Sequence, residues 1–248
     1  MSDKNLHPEA LAIINDIRSA EKSGDRIPLY NMDHIEARNA YLAMRGSLSP
    51  PAPEVYKVIE IKIPVEGGNI KARYYRGINN PHNNILPITI FFHGGGWVIG
   101  DLETHDVVCR QLSNEGNFDV IAIDYRMGPE YRFPTAINDS ITAITWVKNN
   151  TSNLPIDINK DQLNDWRAAP ILFNDLTKLP PSLILVAGCD PLKDEGIAYG
   201  EKLKKAGNNV ETKVFDGQIH GFLTMGARIN DTAKLISLVS NRIDNAFK

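Results

Sequence analysis

Apolar positions recur at helical spacing twice before any strand pattern begins. Leu6, Ala10, Ile13, Ile14 and Ile17 form the first stripe, and Ile35, Tyr41, Leu42 and Met44 the second, which Gly46 closes. Two amphipathic helices are therefore predicted, followed by the stiff linker Ser49-Pro50-Pro51-Ala52-Pro53. The period then changes to two: Ile59, Ile61 and Ile63 alternate with Glu60 and Lys62, while Ile70, Ala72 and Tyr74 alternate with Lys71 and Arg73 across Gly67-Gly68-Asn69. That is a hairpin with one solvated face. From Ile88 to Phe92 the run is apolar without alternation, as in a strand buried on both faces. Val107, Val108 and Leu112 predict a helix up to Gly116, and Val120 to Ile123 a further buried strand. Pro134 opens a helix with Ile137, Ile141, Ile144 and Val147 on one face, running out in the polar stretch Lys148 to Asn153. Leu183 to Ala187 reads as a strand, Glu195 to Ala206 as a helix closed by Gly207, Val210 to Phe215 as a strand and Asp231 to Phe247 as a final helix. Alternation of this kind predicts the α/β class, a doubly wound, mostly parallel sheet with an antiparallel start and a helical segment in front of it.

The bulk properties narrow the function classes. A chain of 248 residues with 42% hydrophobic and 23% charged content can bury one substantial core plus a small appended cap, divided here into residues 1–50 and 51–248. A net charge of −3 and no basic run give no reason to expect nucleic acid as a partner. The N-terminus has no apolar core of signal-peptide length and no stretch approaches 18 apolar residues, so no membrane span is expected and a cytoplasmic location is the default. Cys109 and Cys189 are too few for a disulfide framework and read as small core residues. His7, His34 and His82 are scattered and no HExxH string occurs; neither a metal nor a cofactor is indicated.

The chemistry concentrates where the strand from Ile88 breaks into His93-Gly94-Gly95-Gly96. Three consecutive residues without Cβ cost more ordering entropy than any others, and they let bare N–H groups approach a ligand. At the C-terminal end of a sheet strand that is a binding position, and fixed N–H donors are what a tetrahedral oxyanion needs. If the sheet is parallel from Ile88 onward, the residues just past each strand share one rim. Asp190 follows Leu183 to Ala187 and His220 follows the strand ending at Phe215, and a carboxylate that orients an imidazole is the pair acyl transfer requires. The plainer alternatives are a tight glycine turn with a buried His93, a helix cap at Asp190 and a hydrogen-bonded loop histidine at His220.

These segments carry a family resemblance. His93-Gly94-Gly95-Gly96-Trp97 with Gly100-Asp101-Leu102-Glu103-Thr104-His105-Asp106 resembles the oxyanion-hole segment of the hormone-sensitive-lipase-like esterases of the α/β-hydrolase superfamily. Asp124 to Glu130 resembles that family's second signature, whose arginine and acid brace the loops behind the oxyanion hole. The Asp190-Pro191-Leu192-Lys193-Asp194-Glu195-Gly196 and Asp216-Gly217-Gln218-Ile219-His220-Gly221-Phe222 segments resemble its acid and histidine motifs. The resemblance implies an α/β-hydrolase fold, a lid function for the N-terminal helices, and hydrolysis of short or medium acyl esters. Gly94, Gly95 and Gly96 would be the oxyanion donors beside His93, with His220 as general base and Asp190 as its orienting acid; His105 and Asp106 read as structural.

The family's nucleophile has no counterpart. No Gly-x-Ser-x-Gly string occurs, Ser113 and Ser140 fall inside predicted helices, Ser182 precedes its strand, and Ser152 sits in a polar run. Neither Cys189 nor Thr177 has the context of an elbow either. Leu154 to Ile158 looks like the lead-in to the elbow strand, and Asp165 to Leu172 already resembles the segment before the next strand but one. Several dozen residues are thus missing near 159–165, so the strands from Ile88 and Leu183 are expected to keep unpaired edges unless they close on each other or on another chain, as in a homodimer. Loss of a nucleophilic serine lowers kcat by about 10⁶. The expectation is an inactive or severely impaired esterase with a small-molecule acyl ester as partner; the alternatives are a non-catalytic binding or regulatory pseudo-hydrolase and an internally deleted copy without function.

Overall fold

A computed structural model of the chain describes residues 3–81, 85–150, 156–157 and 176–247. Helices α1 (Pro8–Ser23) and α2 (His34–Leu48) come first. Asp33 caps α2 by accepting from the Ile35 and Glu36 amides while Glu36 reaches back, a reciprocal box that fixes where the helix starts. The predicted stop at Gly46 is corrected to Leu48. The buried stripe runs through Ala37, Tyr41, Arg45 and Leu48, whereas Leu42, predicted inward, is exposed; packing on this stripe carries the helix past a solvent-facing glycine.

Strands β1 (Lys57–Val65) and β2 (Gly68–Arg76) form the expected antiparallel hairpin in the register Ile63↔Ile70. Its solvated face ends early, because Tyr75 and Arg76 are buried beside Tyr74. Arg76 there makes a bidentate pair with Asp119 (2.9 and 2.7 Å), and the Tyr74 hydroxyl donates to the same carboxylate at 2.7 Å. Strand β3 (Leu86–Phe92) leads to α3 (Leu102–Glu115), β4 (Asp119–Asp124) and α4 (Thr135–Asn149). The order of the main sheet is β1-β2-β4-β3-β5, where β5 is the two-residue Ile156–Asp157. β2 pairs antiparallel with β4, and β3 and β4 are parallel. Residues of β4 alternate between layers: Val120 and Ala122 meet α3 and the last helix, Ile121 and Ile123 meet Ala143 and Val147 of α4. Helices thus cover both faces, the doubly wound α/β arrangement expected from the sequence.

β6 (Ser182–Cys189) and β7 (Val210–Ile219), joined by α5 (Lys193–Lys205), make a separate parallel pair. β7 runs four residues beyond the predicted end at Phe215, since Ile219 still pairs with Cys189 across a bulge. Cys189, read as core, is instead half-exposed at the strand's end. β3 contacts β5 only at Leu86↔Ile156 and Pro87↔Asp157, and among the described residues no ladder joins β3 to β6. The two edges do not close on each other. A cleft lined by Ile88, Thr89, Leu183 and Leu185 lies between them. Helices bridge it. α6 (Asp231–Ala246) gives Ile236 to the α3 side and Leu235 to the cluster around Phe215, Phe222 and Ile13, which Leu48 of α2 also enters. Residues 159–165, Ser152 and His82 lie outside the described residues.

Candidate functional site

His93 directly follows β3, Asp190 directly follows β6 and His220 directly follows β7, so the three strand ends meet as the parallel reading requires. In the glycine loop, Gly95 has φ +135° and a Cβ there would lie 1.7 Å from the Ile99 carbonyl oxygen; no other residue fits. That compact turn receives the Val98 and Ile99 amides on the Gly95 carbonyl at 3.2 and 3.0 Å. Among the described residues nothing accepts a hydrogen bond from the amides of Gly94, Gly95 or Gly96. They are unspent donors on an accessible loop.

His93 is buried behind this loop. Its Nδ1 lies 3.0 Å from the Gly94 carbonyl, its ring stacks on Tyr125 at 4.5 Å, and the Tyr125 hydroxyl donates to its carbonyl at 2.5 Å. Among the described residues Nε2 of His93 has no hydrogen-bond partner, and it sits 3.9 Å from Asp124 Oδ1. Burial, followed by the Asp124 charge, pushes the Tyr125 phenol up to about 12, so it stays a donor. His105 lies 5.7 Å from His93, ring to ring, and burial is the first cause holding its pKa down at about 4.

The acid and base are in contact: His220 Nδ1 is 2.8 Å from Asp190 Oδ2. Asp190 Oδ1 also accepts the Leu192 amide at 2.8 Å, an Asx-type turn two residues on that holds the carboxylate towards the imidazole. Its side chain is 11% exposed and that of His220 is 66% exposed, which leaves Nε2 of His220 open. A cavity of about 730 Å³ joins this imidazole to Gly94, Gly95 and Gly96. Its walls include Leu192, Ser140 and three residues of the helix face read from the sequence, Ile137, Ile141 and Ile144. The inward face of α4 is Asp139, Ala143 and Val147 instead. Ser140 turns its hydroxyl to the Ala136 carbonyl at 2.8 Å. Ser113 is buried on α3, and Ser182 opens β6 at the far end.

Residues 89–161 and 158–224 match the family model described as alpha/beta hydrolase fold, which together is more than half of the chain. The chain belongs to the α/β-hydrolase fold family. Carboxylic ester hydrolase LipN of Mycobacterium tuberculosis is 28% identical over 297 residues, covering 84% of this chain and 78% of that protein. Ethyl acetate hydrolase of Pseudomonas putida is 23% identical over 309 residues, covering 95% and 97%. Among solved structures, an ester-hydrolase from the Lake Arreo metagenome, bound to a bipyridine phosphonate derivative, superposes with a TM-score of 0.89 at 27% identity, covering 98% of this chain and 99% of that one. The esterase of Pyrobaculum calidifontis gives 0.81 at 26%, covering 97% and 99%. An alignment of 309 residues against a chain of 248 leaves more than sixty positions of the Pseudomonas protein with no counterpart here. The two family-model matches join at 158–161, beside the expected break.

In this α/β hydrolase the glycine loop is braced from residues that no local motif marks. Arg38 of α2 donates to the Val98 carbonyl at 2.7 Å, to the Gly128 carbonyl at 2.8 Å and to both oxygens of Glu130 at 2.6 and 2.8 Å. Those bonds hold the Glu130 carboxyl down at about 2. Arg126 pairs with Asp139 of α4 at 2.8 and 2.7 Å. The arginine and acid of the second signature therefore each brace a loop, through different partners. Asp106, as expected, is structural: it accepts from Arg73, Tyr75 and Arg110. At the other end of α2, Arg45 donates to the Gly221 carbonyl at 3.4 Å, so one helix touches both the glycine loop and the His220 loop. No helix among the described residues is long and apolar enough to cross a membrane.

Proposed function

We propose that this chain keeps the acyl-binding half of an esterase site and lacks the serine route through it. Gly94, Gly95 and Gly96 supply the oxyanion donors, His93 holds that loop from behind, and His220 with Asp190 forms the base pair. The carrying observation is the 2.8 Å Asp190–His220 contact on the same cavity as the unspent glycine amides. Ester hydrolysis in the named relatives supports a short or medium acyl ester as the ligand. Residues 1–50 act as a cap segment on the hydrolase body 51–248, since α2 reaches both loops of the site.

A fluorophosphonate probe, which needs an activated nucleophile, is expected to leave the protein unlabelled, and p-nitrophenyl ester turnover at the rate of a complete serine esterase is expected to be absent. Labelling together with rapid turnover that disappears in His220→Ala refutes this reading. The missing positions favour a second reading, an internally deleted copy of an active esterase. Recovery of a Gly-x-Ser-x-Gly segment near residues 159–162 from the encoding locus decides for it.

A further inference from the structure

We propose that the His220–Asp190 pair hydrolyses aryl esters by activating water directly, with no acyl-enzyme intermediate. This rests on the acyl-binding reading above and adds an activity to it. Three observations meet. Nδ1 of His220 is committed to Asp190 at 2.8 Å, so the ring's second nitrogen is the proton-accepting atom, and His220 lines the same cavity as Gly94, Gly95 and Gly96. The cavity holds about 730 Å³, and a water molecule takes only about 30 Å³ of liquid volume, so ester and water fit together. The two hydroxyls among the described residues of its wall are both spent, that of Ser140 on the Ala136 carbonyl of its own helix and that of Tyr125 on the His93 carbonyl.

The remaining walls choose the substrate. Phe92, Trp97, Ile137, Ile141 and Ile144 offer apolar surface and few polar partners, which suits an aromatic alcohol half more than a charged or sugar-like one. A phenolate is also a good leaving group, which a single weak nucleophile such as water requires. In the step, the water oxygen bonds to the acyl carbon as His220 Nε2 takes a water proton, and the carbonyl electron pair moves onto oxygen, where the Gly94 to Gly96 amides hold it. That pair then returns, the bond to the aryl oxygen breaks, and the imidazolium gives its proton to the departing phenolate. Ester and water become carboxylic acid and phenol, with the base restored. Asp190 keeps one tautomer and stabilises the imidazolium throughout.

The test follows p-nitrophenyl butyrate hydrolysis together with intact-protein mass spectrometry and, separately, calorimetric binding of butylphosphonic acid as a tetrahedral oxyanion mimic. The expected result is a linear progress curve from the first turnover, no acyl adduct, and a rate about 10² to 10⁴ above the buffer reaction, the range a positioned general base supplies. His220→Ala and His220→Gln should each lower that rate about 100-fold, the usual contribution of a general base. Unaltered circular dichroism melts for these exposed-site variants confirm that the fold is intact. A burst with a covalent acyl adduct overturns the proposal, as does a rate unchanged in both variants. If the phosphonate binds while the rate ignores His220, this inference alone fails; if the phosphonate does not bind, the acyl-binding reading fails with it.

Discussion

Replacing His105 by glutamine is expected to flatten the acid limb of the stability curve. This imidazole is 7% exposed on α3, set between the Phe91 and His93 rings at 5.8 and 5.7 Å, with Nδ1 3.0 Å from the Thr104 hydroxyl. Burial first, and then the neighbouring charges of His93 and Arg45, bring its pKa from 6.5 to about 4. Between those values the unfolded chain takes up a proton that the folded chain refuses. The contribution to stability is therefore complete above about pH 6.5 and declines as the pH is lowered towards 4, where it levels off. A gap of that size corresponds to about 3 kcal/mol. Urea midpoints measured every half unit from pH 7.5 to 3.5 give the curve, and subtracting the His105→Gln curve removes the carboxylates common to both proteins. The difference should change by about 3 kcal/mol across the window, with the natural protein losing more stability. Two parallel curves would refute the reasoning.

Asp119→Asn leaves the buried Arg76 guanidinium without its counter-charge and should cost about 3 to 5 kcal/mol in denaturant unfolding; a loss below 1 kcal/mol would contradict the burial argument. Gly95→Ala forces a methyl group against the Ile99 carbonyl at a positive φ, so butylphosphonic acid binding should vanish, and binding of unchanged affinity would show that the loop is not the anion site. Arg38→Met removes four hydrogen bonds from α2 to the glycine loop and to the Gly128–Glu130 segment, and is expected to weaken phosphonate binding severalfold while Arg38→Lys restores only part of it. Equal binding in the natural protein and both variants would place the loop's rigidity elsewhere.

Much of this architecture is legible from the chain because burial and period coincide. β4 is buried through five consecutive residues and reads as a buried strand at once, and α3 carries both its Asp101–Thr104 box and its closing Gly116 in plain view. The fold class and the three strand ends bearing His93, Asp190 and His220 follow from such signals. What escaped reading depends on contacts remote in sequence. Arg38 reaches Val98 and Glu130 sixty and ninety-two residues away, and no local pattern distinguishes it from a solvated arginine. Ile137, Ile141 and Ile144 formed a valid helical stripe but line the cavity, and a period of apolar residues does not by itself tell a core face from a pocket wall. Tyr125 could have been suspected, as the first residue past the Asp124 that ends β4.

The seam between β3 and β6 determines how the molecule comes apart. Separating the two sheets there strips side chains of α2 and α6 from their neighbours but severs no main-chain ladder among the described residues. Each sheet, with its own helices, is then expected to open as a cooperative unit held to the other, among the described residues, through α2 and α6. Deuterium should enter the seam-facing amides of β3 and β6 long before those shared by β3 with β4 or by β6 with β7. A peptide strand that lodges in the seam would slow that entry and merge the two units into one.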